Sequence, residues 1–200
     1  VPQRPRVPEG ITVAEAVLIG RSPHVGPLQR LGGADREAAA RAMDRAGVLG
    51  FAERRLTTLS GGELQRVQVA VGLAQDAPAL IADEPTAALD LGATATMARL
   101  LRGLADDGLA VVVVVHDLAL ASAVADRVVV MAHGRSVATG PPAEVLHRER
   151  LAEVWEVDAE LTADGARTAL HVAWLPREER ALSVPPAPSG DGSGAPAAAR

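Results

Sequence analysis

The chain has 200 residues with a formal net charge of -5, and 48% of them are hydrophobic but only 2% aromatic, which favours one α/β domain of helices packed on an aliphatic sheet. The acidic balance disfavours nucleic acid as a partner, since phosphate binding needs clustered Lys and Arg, and the lack of cysteine excludes disulfides and thiolate metal sites. The longest apolar run, Leu109 to Val115, is much shorter than the roughly 20 residues of a membrane-spanning helix, so we expect any membrane role to be peripheral.

The first part of the chain carries helical signals. A short amphipathic helix is predicted over 12–19, with Thr12 as its cap and Glu15 completing a capping box. A second helix is predicted over 35–47, where a glycine ends it, and a third over 62–74. We expect these helices to form one packed unit.

The pattern then changes to short, continuous apolar runs. They predict strands at 79–82, 109–115 and 128–131. Helical patterns at 92–104 and 118–125 separate these strands. The alternation predicts βαβ crossovers and a mainly parallel core sheet whose strands are buried on both faces.

The C-terminal part carries weaker signals. A short strand at 136–139 and a short helix ending near 146 follow the last core strand. A hairpin is predicted to pair 159–161 with 169–172. Over 185–200 the composition is Pro, Gly, Ser and Ala with little to bury, which predicts a disordered tail.

A Ser-Gly-Gly turn before the third helix carries the first chemical signal. Ser60, Gly61 and Gly62 offer backbone N–H groups, a hydroxyl and the positive end of a helix dipole, which suit a terminal phosphate. Taken alone, such a turn is more often a simple helix cap. The longer run over 59–66, however, closely resembles the signature of ABC-type ATPases, and the resemblance extends over about 3–158.

Two carboxylates follow the first core strand. Asp83, at the end of a buried strand, can hold Mg²⁺, and the neighbouring Glu84 can polarise an attacking water. An isolated Asp-Glu pair would more often simply meet solvent. The residues that come next resemble the loop that links the two active sites of an ABC dimer, which implies that role for Ala88, Leu89 and Asp90.

A histidine and a glutamine complete the resemblance. His116 ends the strand at 109–115, on the sheet edge where open α/β sheets bind ligands. A lone histidine there is usually a satisfied polar residue, but this one resembles the switch histidine that contacts the γ-phosphate. Gln3 precedes a stretch that resembles the start of the helical subdomain of import ATPases. The resemblance thus implies catalytic roles for Glu84, His116 and Gln3, with Asp83 and Gln3 at the metal.

The resemblance also implies an organisation. The expected fold is an incomplete P-loop NTPase-like ABC ATPase domain over 1–158, made of a helical subdomain at about 8–75 and the remaining core sheet at about 76–158, with a small extension at 159–184. In an ABC dimer each nucleotide lies between the phosphate loop of one subunit and the signature of the other. The signature residues implied to contact that nucleotide are Leu59, Ser60, Gly61, Gly62, Glu63 and Gln65.

ATP and Mg²⁺ are the implied ligands, and the implied function is ATP hydrolysis for an importer. Runs at 8–23 and 140–146 resemble ATPases of iron-chelate, haem and cobalamin importers, and the choice among these substrates stays open. The implied partners are a second ATPase subunit in a homodimer, membrane permease subunits and, indirectly, a substrate-binding protein. The implied place is the cytoplasmic face of the plasma membrane.

A phosphate-binding loop of the form Gly-x-x-x-x-Gly-Lys-Ser/Thr does not occur in the 200 residues. In the family this loop lies N-terminal to the position of Gln3, so we expect an N-terminally truncated sequence and an inactive chain when it is alone. Two alternatives stay open. One is a soluble ABC ATPase that moves no solute and acts on nucleic acid, and the other is a non-catalytic remnant of a broken gene.

Overall fold

The computed structural model describes residues 10–26, 30–164 and 167–173. Gln3 and the predicted tail at 185–200 lie outside these residues. Within them the chain forms seven α-helices and six strands, together with three short 3-10 turns. In chain order the helices and strands are α1 Val13–Ile19, α2 Gly33–Arg45, α3 Gly61–Ala74, β1 Ala79–Asp83, α4 Leu91–Asp106, β2 Ala110–Val114, α5 Leu118–Val124, β3 Val128–Ala132, β4 Arg135–Gly140, α6 Pro142–Val145, α7 Arg148–Trp155, β5 Ala159–Asp164 and β6 Arg167–Val172.

Helices α1, α2 and α3 pack around one hydrophobic core. At the start of α1 the Thr12 hydroxyl accepts a hydrogen bond from the Glu15 N–H at 3.3 Å, and the Glu15 carboxylate accepts one from the Thr12 N–H at 2.8 Å. These two bonds are the predicted capping box. Gly47, at φ +65°, turns the chain away after α2. The buried side chains of this core are Val13, Val17, Ala39, Ala42, Met43, Ala46, Val48, Leu56, Val67, Ala70 and Ala74.

A second core lies where α3 and α4 cover one face of β1 and β2. These strands pair in parallel, from Ala79 opposite Ala110 to Asp83 opposite Val114. The parallel pairing was predicted from the βαβ alternation and is confirmed for these two strands. The buried members of the second core are Val69, Leu80, Met97, Leu101 and Leu104.

The opposite face of β1 and β2 is open, so the prediction of strands buried on both faces is wrong here. Ile81, Val112 and Val114 lie on that face and are 64%, 53% and 48% exposed. Within the described residues the strands form three two-stranded sheets, and β3 pairs with β4 rather than with the parallel pair. A run of valines predicts a strand, but it does not identify which element covers each face.

Strands β3 and β4 form an antiparallel hairpin. Its turn contains His133 at φ +50° and Gly134 at φ +74°, the left-handed pair that a tight hairpin turn requires. A third core packs beneath this hairpin and includes Val130, Val145 and Leu146. The hairpin therefore has one buried and one exposed face.

The chain continues into α7 and a second hairpin. The sequence pattern did not predict α7, although Leu151 is fully buried and anchors it. Strands β5 and β6 pair antiparallel, with Ala159 opposite Val172, as predicted. No helix within the described ranges is both long and apolar enough to span a bilayer.

Candidate functional site

The signature turn forms the N-terminus of α3. Ser60 is the N-cap residue, and its hydroxyl accepts a hydrogen bond from the Glu63 N–H at 3.3 Å. The Glu63 carboxylate accepts one from the Ser60 N–H at 2.8 Å. The first N–H groups of a helix have no acceptor within the helix, so those of Gly61 and Gly62 are suited to bind an anion. Ser60 and Gly61 are both exposed.

Arg54 holds the signature turn from the preceding loop. Its Nη1 lies 3.1 Å from Glu63 Oε1, and its Nη2 donates to the Thr58 carbonyl at 2.6 Å. The guanidinium also lies 5.2 Å from the centre of the Phe51 ring, a cation–π distance. The hydrogen bonds from Ser60, followed by the charge of Arg54, lower the pKa of Glu63. The Glu63 carboxylate therefore organises the turn from within the chain.

A carboxylate and an imidazole meet at the C-terminal ends of β1 and β2. Glu84 Oε1 lies 2.6 Å from His116 Nε2, and the two side chains are 18% and 84% exposed. The Glu84 N–H donates to the Val114 carbonyl at 2.9 Å, which extends the parallel pairing by one residue. Because parallel strands end at the same edge, residues 32 positions apart in sequence are neighbours here. Such a pair can orient a water and accept its proton.

The loop after Glu84 is held in a strained conformation. Glu84 has φ +45° and Ala88 φ +61°, which are unusual for residues with a Cβ and cost about 1–3 kcal/mol each. Pro85 between them is fully buried. Asp90 then caps α4 by accepting a hydrogen bond from the Ala93 N–H at 2.7 Å. The strain is thus maintained by burial on one side and a helix cap on the other.

A cleft of about 300 Å³ opens beside Glu84 and His116, which we call the acid–imidazole pair. One wall comes from the loop and the start of α4, and the other from the end of β2. The cleft is lined by Glu84, Thr86, Ala87, Leu89, Leu91, Thr94, Val115, His116 and Asp117.

The loop and the signature turn are neighbours within the same chain. A Cβ placed on Gly61 would lie 3.8 Å from Leu89 Cδ2, and one placed on Gly62 would lie 2.9 Å from Ala93 Cβ. The starts of α3 and α4 therefore approach closely. Sequence spacing did not predict this contact, because the two segments are separated by β1 and belong to different motifs.

The remaining predicted residues lie at different depths. Gln65 is only 7% exposed, and its Nε2 has no hydrogen-bond partner within the described residues. Asp83 is exposed at the end of β1, on the open face with Ile81. Gln3 lies outside the described residues. The signature turn thus exposes its first residues and buries its later ones.

Sequence reasoning missed Asp117, which fixes the chain after His116. Its carboxylate accepts a hydrogen bond from the Leu120 N–H at 2.9 Å and caps α5. An aspartate directly before a helical apolar pattern is an N-cap signal, so this residue was recognisable in the sequence. Arg54 had no comparable signal, since its partner Glu63 is nine positions away with a turn between them.

The described residues contain no group of three or more His, Asp or Glu side chains arranged to hold a metal ion. A magnesium site needs fewer protein ligands, because Mg²⁺ is usually bound by one or two carboxylates, and substrate phosphates and waters complete its coordination shell. The Asp83 carboxylate, exposed at the end of β1 and adjacent in sequence to Glu84, fits that kind of shared site.

Known proteins resemble this chain in sequence. The family described as ABC transporter matches residues 1–87. A hemin import ATP-binding protein of Rhodococcus jostii (strain RHA1) is 44% identical over 180 residues, which are 90% of this chain and 60% of that protein. A cobalamin import ATP-binding protein of Halobacterium salinarum (strain ATCC 29341 / DSM 671 / R1) is 41% identical over 179 residues, which are 88% of this chain and 44% of that protein.

The fold resembles solved structures as well. A metal-chelate type ABC transporter in an inward-facing conformation superposes with a TM-score of 0.77 at 27% identity, over 86% of this chain and 69% of that chain. The chain spans 60% and 44% of the length of the two import proteins. The family match over residues 1–87 includes the signature turn and Glu84.

Proposed function

We propose, since this chain belongs to the ABC transporter family, that it is the ATP-binding and ATP-hydrolysing subunit of an importer. The observation that carries the proposal is the 2.6 Å contact between Glu84 and His116, beside a cleft and close in the chain to the signature turn. Hydrolysis of a terminal phosphate needs a positioned water and compensation of negative charge. In this proposal the Glu84–His116 pair positions the water, and the signature turn compensates the charge of a phosphate that a second subunit holds.

In this proposal Glu84 is the general base and His116 is the group that orients the water and the γ-phosphate. The contact with His116 and the strained backbone fix the direction of the Glu84 carboxylate, so it does not have to be ordered during the reaction. The Ser60 hydroxyl and the N–H groups of Gly61 and Gly62 receive a terminal phosphate that a second subunit holds. Glu63 supports that turn through its hydrogen bond with Ser60. Leu59, which is partly buried against the core of α1, α2 and α3, and the buried Gln65 support it from within.

We also propose that Ala88, Leu89 and Asp90 link the two sites of a dimer of this chain. Asp83, with Gln3, would hold Mg²⁺, which supplies charge neutralisation at the phosphates when bound. The strain at Ala88 and the Asp90 cap support a loop with one defined shape. A loop of defined shape can transmit a change at one site to the other.

The relatives' names support a substrate class. Their names describe import of hemin and of cobalamin, and a solved structural neighbour is described as a metal-chelate type transporter. We infer import of haem, cobalamin or an iron–siderophore complex. The partners would be membrane permease subunits and a substrate-binding protein, and the chain would lie peripherally at the cytoplasmic face of the membrane.

The test is substrate uptake in a strain that lacks this gene. We expect loss of uptake of haem, cobalamin or iron–siderophore, measured separately with labelled substrates, and recovery when the gene is restored. A gene carrying Glu37→Gln, an exposed position on α2, is the matched control and should restore uptake fully. Unchanged uptake of all three substrates would contradict import and favour a soluble ABC ATPase or a remnant.

A second expected result concerns the 200-residue chain by itself. It carries the signature half of the site but no phosphate-loop lysine motif, so we expect it to bind ATP only weakly and not to hydrolyse it. Isothermal titration with Mg·ATP measures this directly. Micromolar affinity would contradict the expectation and would mean that the described residues hold the phosphates in another way.

A further inference from the structure

The geometry points to Ala93 as a positioning residue, whose small side chain sets where the signature turn lies relative to the strained loop over 84–90. This inference rests on the proposed function, since it concerns the same site. It changes the role of Gly62, which is required by packing inside the chain and not only by a phosphate. Ala93 does not belong to any of the motifs that identify the family.

The first observation is the distance between the starts of the two helices. A Cβ on Gly62 would lie 2.9 Å from Ala93 Cβ and 3.9 Å from Ala93 Cα. A carbon–carbon contact is optimal at about 3.5–4.0 Å, so a methyl group at Gly62 would collide. The Ala93 methyl is rigid and lies next to the helix backbone, and it cannot rotate out of the way.

The second observation is that both helix starts are fixed. Ser60 and Glu63 close α3 with a capping box, and Asp90 caps α4 through the N–H of Ala93 itself. Further along, Val69 of α3 and Met97 of α4 are buried in the same core. A collision at Gly62 therefore displaces the turn, because neither helix can slide along the other without losing a cap or core packing.

The consequence is a mechanical connection within one subunit. The Ala93 N–H is bonded to Asp90, and the strained loop leads from there back to Glu84 and its contact with His116. The Ala93 methyl touches the position of Gly62 in the signature turn. Ala93 thus sets the spacing between the turn that receives a phosphate and the loop that ends at the general base.

The experiment exchanges one methyl group across the contact. In the protein made from its complete reading frame, Gly62→Ala is expected to lower kcat/KM for ATP about 10- to 100-fold, because displacements of about 1 Å have effects of this size. The double variant Gly62→Ala with Ala93→Gly removes the opposing methyl and should recover to within about threefold of wild type. Ala95→Gly, exposed on the same helix, is the matched control and should leave kcat/KM unchanged.

A second variant approaches the contact from the other side. Ala93→Leu leaves every signature residue in place but adds bulk towards Gly62, and we expect the same kinetic change. The expected kinetic effect is a raised KM for ATP. Partial unfolding would instead lower the amount of active enzyme, which reduces apparent kcat at constant KM.

Urea unfolding of the same variants separates the possible outcomes. Recovery of both stability and kcat/KM in the double variant supports the proposal. Recovery of stability without recovery of kcat/KM would overturn it, since Gly62 would then be required by the nucleotide itself. The proposal would also be overturned if the added Ala93→Gly change left the destabilisation caused by Gly62→Ala unreduced. A wild-type protein without ATPase activity would refute the proposed function and, with it, the positioning role. The unfolding measurements on the same variants would still show whether Gly62 and Ala93 are in contact.

Discussion

Replacing Glu84 with Gln is expected to lower ATP turnover by about 10²- to 10⁴-fold, the range that a general base contributes. In the unsubstituted protein His116 Nε2 lies 2.6 Å from Glu84 Oε1. The amide has nearly the same shape as the carboxylate, so its oxygen can still accept a hydrogen bond from His116 Nε2. It cannot accept a proton from water. In the protein made from its complete reading frame, steady-state phosphate release should therefore fall while ATP affinity, measured by titration, stays within about twofold.

The matched control for this substitution is Glu37→Gln, which makes the same chemical change at an exposed site on α2. It should leave turnover unchanged. If Glu84→Gln retained wild-type turnover, the general-base assignment would be wrong, whatever the affinity for ATP. If affinity and turnover fell together, the more direct reading would be that Glu84 supports the strained loop rather than the proton transfer.

The local elements were largely predictable from the sequence. Thr12 with Glu15, and Ser60 with Glu63, are capping boxes that depend only on residues three positions apart. The carboxyl ends of β1 and β2 meet because parallel strands share an edge, so the neighbourhood of Glu84 and His116 followed from the βαβ alternation. Sequence patterns that depend on a few neighbouring residues, or on the direction of paired strands, therefore predicted the folded structure correctly.

Contacts between distant segments were not predictable. Arg54 binds Glu63, which lies nine positions further along the chain. Ala93 packs against Gly62, although β1 separates the two residues in sequence. Neither spacing implies a contact. The exposed face that carries Ile81 was also mispredicted, since an apolar run indicates burial without naming the covering element. These features depend on how helices are placed on the sheet, which composition and periodicity do not specify.

The strain in the loop over 84–90 was not predictable from the sequence either. Nothing in a glutamate or an alanine favours a left-handed backbone, yet Glu84 and Ala88 both adopt one. Strain of this kind persists only when its surroundings fix it, here the buried Pro85 and the Asp90 cap. In our proposal the strained loop is what presents the general base, so the least predictable backbone lies where the chemistry is.

Substituting Gly20 with Ala is expected to destabilise the chain by about 3 kcal/mol or more, since overpacking a site with no room to adjust has effects of this order. Gly20 ends α1 where it packs on α3. A Cβ there would lie 2.5 Å from the Val71 carbonyl oxygen and 2.9 Å from that of Val17. Both are backbone atoms, and the Val71 oxygen belongs to α3, so relieving the shorter contact requires α1 and α3 to move apart.

That movement would also disrupt the end of α3. Arg21, next to Gly20 and with a side chain only 11% exposed, donates from Nη1 to the Ala74 carbonyl at 2.8 Å and pairs with Asp35 at 3.3 Å. The bond satisfies a carbonyl that the helix itself leaves without a donor. Urea-induced unfolding of the 200-residue chain, followed by circular dichroism, measures the change in the free energy of unfolding.

Gly103→Ala is the matched control. Gly103 lies inside α4 with no atom within 4 Å of a built Cβ, so alanine there should stabilise the chain by about 0.5–1 kcal/mol through its higher helix propensity. The same chemical change is thus expected to have opposite signs at two glycines of one chain. Equal effects at Gly20 and Gly103 would mean that α1 and α3 are not in the close contact on which the signature helix depends.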